Sequence, residues 1–325
     1  MATNIPVLTP VPTPTAIDFE TTKEVGYYRL VWRRFRSRRI ALVAAITLGL
    51  LIFACYILPF ALPSECVDLN QTDLGPLSTA TTNSAFCPGS HFHLLGTDSD
   101  GRDLLLRNLK GGQVSLLVGF TVTILTMLIA TTMGALAGFL GGVVDAAISA
   151  VTNAVLSIPS ILILIIFVKT FNSNGQFGPL EAGFFVVLGI SLIFWPTTAR
   201  IVRSVVLSVR EKEFVEAARA VGTSRLRIIT RHLLPNALGP IVVSASLTVG
   251  AAILTESALS FLGYGINPPT ATWGNLLDDG RNKIFDPNGV YFALWPGFLI
   301  LITVLSFNYI GDALRDAFDP RSLER

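Results

Sequence analysis

Charge disappears from six long apolar stretches of the chain, 40–62, 114–139, 146–168, 182–199, 238–262 and 287–311, apart from one acid, Glu256, in the fifth. A helix needs about 20 mostly apolar residues to cross a hydrocarbon layer of roughly 30 Å, so these stretches have the length of membrane spans. The fourth is the shortest, because Arg200 interrupts it after 18 residues. Six such runs in 325 residues argue against the buried helices of a soluble core. The first is also no signal peptide: 39 residues precede it, and its 23 residues exceed the roughly 7–15 of an apolar signal region. The expected fold is an all-α integral membrane protein with six transmembrane helices.

Composition agrees. Hydrophobic residues make up 51% of the chain and charged ones 14%, with a mean hydropathy of +0.60. A soluble domain carries about 25% charged residues, so this chain has too little polar surface to dress itself in water. The formal net charge of +2 leaves no excess to neutralise a nucleic-acid backbone, and nucleic-acid binding is set aside.

With six spans both ends fall on one side. That side holds the N-terminal segment, the loop after the second run, the 200–236 segment and the C-terminus, and with them 18 of the 24 Lys and Arg. The other side holds Arg102, Arg107, Lys110, Lys169, Arg281 and Lys283. The positive-inside rule places both termini in the cytoplasm. Arg33, Arg34, Arg36, Arg38 and Arg39, with Trp32 and Phe35 among them, read either as an interfacial basic helix over 26–39 or as ordinary flanking anchors.

Residues 1–25 read as a disordered cytoplasmic tail, rich in Pro and Thr. The 63–113 segment forms an extracytoplasmic loop, and 114–325 a core of five spans with a cytoplasmic insertion. Cys66 and Cys87 in the outer loop are either a disulfide or two unpaired thiols, while Cys55 within the first span is a small core residue. Gly96 and Gly101 have the spacing of a phosphate-binding loop, but Arg102 and Asp103 stand where Lys and Ser or Thr are required, and Asp103 would repel phosphate. His91 and His93 with Asp98, Asp100 and Asp103 complete no metal-binding pattern. A capped turn leading into the second span is the simpler reading, and no metal or cofactor is expected in the chain.

The insertion is the informative part. From Glu211 to Val221, Phe214, Ala217, Ala218 and Val221 recur at one helical face, with Glu211, Glu213 and Glu216 crowding the N-terminal half where the helix dipole favours them. Gly222 supplies a left-handed C-cap, Thr223 or Ser224 can cap a second helix, and Leu226, Ile229 and Leu233 line one side of it before Pro235 stops it. A helix–turn–helix of this kind needs its apolar face covered. The cover is either the inner ends of the protein's own spans or a separate cytoplasmic partner, and composition leaves both open.

Glu216, Ala217 and Ala218, then Gly222, then His232, Leu233, Leu234 and Pro235 resemble, at matching spacing, the EAA loop of bacterial ABC importer permeases; His232 takes a position that is usually aliphatic. Three other stretches resemble the second permease subunit of dipeptide/oligopeptide importers: Leu95 to Asp103 before the second span, Thr255 to Gly263 with Pro268, Pro269, Trp273, Gly274 and Asn275 after it, and Gly311 to Arg321. The resemblance covers about 28–321, and the tail and a long 63–90 stretch depart from it.

That resemblance implies a type I importer permease in the bacterial or archaeal plasma membrane, paired with a homologous second permease and two cytoplasmic ATP-binding subunits. An extracytoplasmic substrate-binding protein would deliver di- or oligopeptides; nickel chelates and glutathione are the cargoes of close relatives. It implies ATPase coupling through 211–235, with Phe214, Glu216, Ala217, Ala218, Gly222, Leu234 and Pro235 as the coupling residues. ATP and magnesium would sit on the partner subunits, and no enzyme activity is expected of this chain. Glu256, an acid at membrane depth, either lines the passage or hydrogen-bonds between helices. A rival reading, an ion-coupled carrier, would want acids or broken helices at corresponding positions in two halves, and one Glu without evident symmetry counts against it. A membrane scaffold without transport would need no exposed coupling helix.

Overall fold

A computed structural model of the chain describes residues 27–61, 95, 103–171, 179–266, 268, 270–281, 283–285 and 290–318. The 1–25 tail, Cys66 and Cys87, His91 and His93, the 96–102 stretch and the end of the chain from Asp319 lie outside them.

Helix α1 (Tyr27–Ser37) carries the arginine cluster and α2 (Arg39–Ala61) the first apolar run. Helix α3 (Leu104–Leu140) starts ten residues earlier than hydropathy alone places it, because Asp103 caps it: its carboxylate accepts a hydrogen bond from the Leu106 amide at 2.7 Å. At 37 residues α3 is about 55 Å long, well over a bilayer's thickness.

The third apolar run is not one rod. It forms α4 (Gly142–Ser157) and α5 (Ser160–Phe171), bent by 91° at the break between them. Ile158 leaves the helix in an extended conformation, φ −103 and ψ 137, as the residue before a proline prefers, and Pro159 has no amide hydrogen to continue the ladder. Five continuous helices and this broken pair therefore account for six spans by length and apolar character.

Helix α6 (Pro179–Arg210) runs through the charges that seemed to end the fourth span. Each is satisfied from the α3–α4 region: Arg200 donates to Asn153 Oδ1 at 2.7 Å, Arg203 grips Asp145, and Arg210 donates to the Gly138 carbonyl at 3.1 Å. A charge so partnered no longer ends a membrane helix.

Next come α7 (Glu213–Ala220), α8 (Arg225–Ile228), a single wide π-helical turn (Ile229–Leu233) and α9 (Leu234–Phe261). Helix α10 (Trp273–Arg281) and the last span α11 (Val290–Phe318) complete the described fold.

Lipid tails are as apolar as the side chains, so these helices hold together by close packing rather than by hydrophobic burial. The largest interface joins α3 to α6. Gly134 and Gly138, one turn apart on α3, make it possible: a Cβ on Gly134 would lie 2.6 Å from the Ala199 carbonyl oxygen, and one on Gly138 2.9 Å from that of Arg203. Val122, Leu164, Val186, Ile190 and Leu259 form the midsection core where α3, α5, α6 and α9 meet. On the other flank Leu48 and Cys55 of α2 pack with Leu116, Ile253, Trp273 and Phe307. Helix α1 folds against the end of α11, with Val31 and Phe35 on Ala313 and Ala317 and an Arg38–Asp316 ion pair at 2.9 Å. Phe318 lies against Gly239 near the start of α9, so α1, the end of α11 and the start of α9 share one end of the molecule.

Candidate functional site

The 211–235 segment folds as a helical hairpin at that end. Helix α7 closes in a Schellman motif: Gly222 has φ 80, its amide bonds to the Arg219 carbonyl at 2.9 Å, and the Thr223 amide reaches back to Ala218 at 3.0 Å. Ser224 is the N-cap of α8, without a side-chain bond. The second helix does not stop at Pro235. That residue sits within a continuous helical path, and the chain runs on as one apolar helix to Phe261. What Pro235 does is widen the turn before it. The Leu234 amide bonds to the Ile229 carbonyl five residues back, which relieves the clash of a proline ring with the carbonyl four residues earlier.

The face that packs inward is not the one lined by Phe214, Ala217 and Val221. Val215 is 0% exposed and joins Ile228 and Leu233 in a cluster with Ala135 and Phe139 of α3 and Val202, Val206 and Val209 of α6. Ala218 and Leu234 lie at its margin, partly buried. Phe214 stays 41% exposed, Val221 86% and Leu226 72%, and Glu216, Ala217, Gly222 and Pro235 are exposed as well. Of the two covers that the sequence left open, the structure shows the protein's own spans. One side rests on its own spans, and the other stands free in the single chain. Val215 escaped sequence reading because its neighbour Phe214 fits the i, i+3, i+4, i+7 pattern equally well.

Two aromatic contacts fix the hairpin's pose. The rings of Phe214 and His232 lie 6.1 Å apart across it, and the Arg219 guanidinium sits 5.4 Å from the centre of the Phe139 ring. Between the hairpin and the end of α3 is a polar cavity of about 640 Å³, walled by Arg210, Glu211, Glu216, Arg219 and Arg225.

Glu256 lies far from the hairpin, about one and a half turns before the other end of α9, and is 0% exposed. Its carboxylate accepts hydrogen bonds from Ser260 at 2.8 Å and from Ser115 of α3 at 3.3 Å. The same hydroxyls take further donors: the Trp273 amide bonds to Ser115 Oγ at 3.2 Å and the Ile266 amide to Ser260 Oγ at 3.3 Å. The Trp273 indole reaches the Asn108 carbonyl at 3.0 Å, and the Asn275 side chain donates to Thr270 at 2.7 Å and accepts from the Thr272 amide at 2.9 Å. Of the two roles open to Glu256, the geometry favours hydrogen bonding between elements: it ties α3 and α9 to the residues around Ile266 and Trp273. Among the described residues no cluster of His, Cys, Asp and Glu could hold a metal ion.

Residues 130–324 match the family model of the binding-protein-dependent transport system inner membrane component, and residues 26–76 that of the N-terminal TM domain of oligopeptide transport permease C. The oligopeptide transport system permease protein OppC of Haemophilus influenzae is 38% identical over 289 residues, which cover 89% of this chain and 87% of that one. The dipeptide transport system permease protein DppC of Alkalihalophilus pseudofirmus is 35% identical over 318 residues, 97% of each chain. OppC of Mycobacterium tuberculosis is 38% identical over 299 residues, 91% of this chain and 96% of the relative. Among solved structures, a chain of the MetNI methionine ABC transporter in an inward facing conformation superposes with a TM-score of 0.53 at 20% identity, over 66% of this chain and 97% of that chain. That last likeness is one of fold.

Proposed function

This chain belongs to the family of binding-protein-dependent transport system inner membrane components, and from that premise we propose that it is the peptide-importing permease half of an ATP-driven transporter. Relatives named as oligopeptide and dipeptide permeases at 35–38% identity over most of the chain support the cargo class. The partners are a homologous second permease, two ATP-binding subunits seated under the hairpin, and a binding protein on the opposite side. The hairpin end faces the cytoplasm, in keeping with the arginines of α1 and of the hairpin at that end.

One observation carries the coupling role: the hairpin is bolted to α3 and α6 through Val215, Ile228 and Leu233 while Phe214, Ala217, Val221 and Leu226 remain outside. A helix anchored on one face and bare on the other can be gripped by a partner and pass its motion to the spans without folding change. The bare alanines allow close backbone approach, and Glu211, Glu213 and Glu216 beside Arg219, Arg225 and Arg227 offer a charge pattern for registering it. ATP-driven closure of the partner subunits would then bias the spans between two arrangements. ATP hydrolysis belongs to those subunits and not to this chain.

The test is uptake and ATPase activity in proteoliposomes holding the four-subunit importer with its binding protein. Glu216→Lys should abolish peptide uptake and its link to ATP hydrolysis while the chain still inserts. Normal coupled uptake would reject the role.

A further inference from the structure

The break between α4 and α5 opens onto a cavity of about 620 Å³, completed by Ile193, Phe194 and Thr197 of α6 and by Leu247, Thr248 and Ala251 of α9. Its depth follows from helix rise. Thr197 lies thirteen residues before the end of α6 and Thr248 fourteen after the start of α9, so both sit about 20 Å from the hairpin end, well inside a bilayer. A membrane-depth interruption is tolerated only where the freed backbone is buried in protein or lines a wet space. Here the last carbonyls of α4 and the first amides of α5 lack helical partners at Ile158 and Pro159, and the cavity is at that spot.

The lining carries no ionisable side chain. Its polar groups are hydroxyls, and two of them are set as acceptors: Thr248 donates to the Ser244 carbonyl at 2.7 Å and Ser157 to that of Ala154 at 2.8 Å, which leaves the oxygen lone pairs toward other donors. Hydroxyl oxygens and orphan backbone groups match the amides and carbonyls of a peptide main chain. Apolar walls of Ile193, Phe194 and Leu247 give contact without direction. Lipid tails would leave the freed backbone groups of the break unmet.

We propose that this cavity is the chain's own share of the passage, holding a peptide by its main chain and indifferent to side-chain charge because its wall has none. The site deepens, and rests on, the reading of the chain as a peptide permease.

The experiment follows uptake of Ala-Ala-Ala, Ala-Glu-Ala and Ala-Lys-Ala by the complete importer in proteoliposomes, each variant normalised to wild type. Thr248→Asp should slow the glutamyl peptide about tenfold relative to the lysyl one, the size of a charge–charge term at partly screened separation, and Thr248→Lys should do the reverse. Thr197→Asp and Thr197→Lys, on a different helix, should repeat the mirrored pattern. Mirror-image selectivity cannot arise from misfolding. Equal slowing of all three peptides in every variant, or no change in any, overturns the assignment of the cavity and leaves the permease reading intact. Failure of the wild-type importer to take up any of the three overturns both.

Discussion

Asp145 at the start of α4 and Arg203 in the last third of α6 meet in a two-pronged ion pair, with Nε on one carboxylate oxygen and a terminal nitrogen 2.7 Å from the other. Ser149 adds a bond to the same carboxylate from one turn along α4. This fork, with Arg200 on Asn153 above and Arg210 on the α3 carbonyls below, clasps the α3–α4 corner at Gly141 and Gly142 to the helix that runs down to the hairpin. The broken pair α4–α5 and the hairpin are therefore two ends of one braced unit.

Breaking the fork should loosen that unit. Arg203→Ala is expected to lower stability by about 2 kcal/mol, the scale of a charged hydrogen-bonded pair, and Asp145→Asn by less, since asparagine still accepts one bond. Thermal unfolding of the purified importer in detergent, run as a double-mutant cycle on the two positions, reads the coupling. Strict additivity of the two changes would mean that the pair contributes nothing.

The two faces of α7 should respond differently to truncation. Val215→Ala removes a fully buried side chain at the hairpin's seat and should cost about 2 kcal/mol, seen as faster amide exchange over 213–233. Val221→Ala on the bare face should change stability by less than about 0.5 kcal/mol yet weaken co-purification of the ATP-binding subunits. Identical profiles for the two variants would contradict the division of faces.

Gly222 separates conformation from space. No atom lies within 4 Å of where its Cβ would be, so bulk alone is tolerated, but φ 80 is not available to a β-branched residue without strain. Gly222→Val should lose coupled uptake, and Gly222→Asn, which tolerates the left-handed region, should keep most of it. Uptake rates of the two variants decide between backbone strain and contact loss.

For Glu256 the discriminating pair is Gln and Leu. Gln keeps one acceptor oxygen for one of the Ser115 and Ser260 hydroxyls and can donate its amide to the oxygen of the other, and Glu256→Gln should cost about 1 kcal/mol. Glu256→Leu leaves those hydroxyls buried without a partner, at about 3 kcal/mol, and should expose the 262–285 region to limited proteolysis. Protection of that region in the Leu variant would separate Glu256 from the outer loop.

What was legible in the sequence tracks what is local. A charge-free run of about 20 residues announces a span wherever it stands, and all six runs became helix. The cap at Asp103 and the left-handed turn at Gly222 were also readable, because each depends on a single residue type at a helix end. Long-range partnership was not. Arg200 and Arg203 look like the end of a helix until Asn153 and Asp145, some fifty residues away, are brought beside them. The break at Ile158 and Pro159 was hidden by unbroken hydropathy on both sides. The carboxylate of Glu256 likewise declared itself only as an acid in an apolar run; the hydroxyl 141 residues upstream that satisfies it comes from the fold.

The wide turn at Ile229–Leu233 winds one more residue into a single turn than the helices on either side of it do. Losing one residue there would let the turn relax to ordinary pitch with the hairpin at nearly the same azimuth, whereas losing one from an ordinary turn of α9 would swing the hairpin by about 100° around the helix axis. The wide turn is therefore a slack link rather than a simple irregularity, and two proteins with the same spans but segments one residue apart in length at this point would still offer the same side of the hairpin to whatever docks beneath.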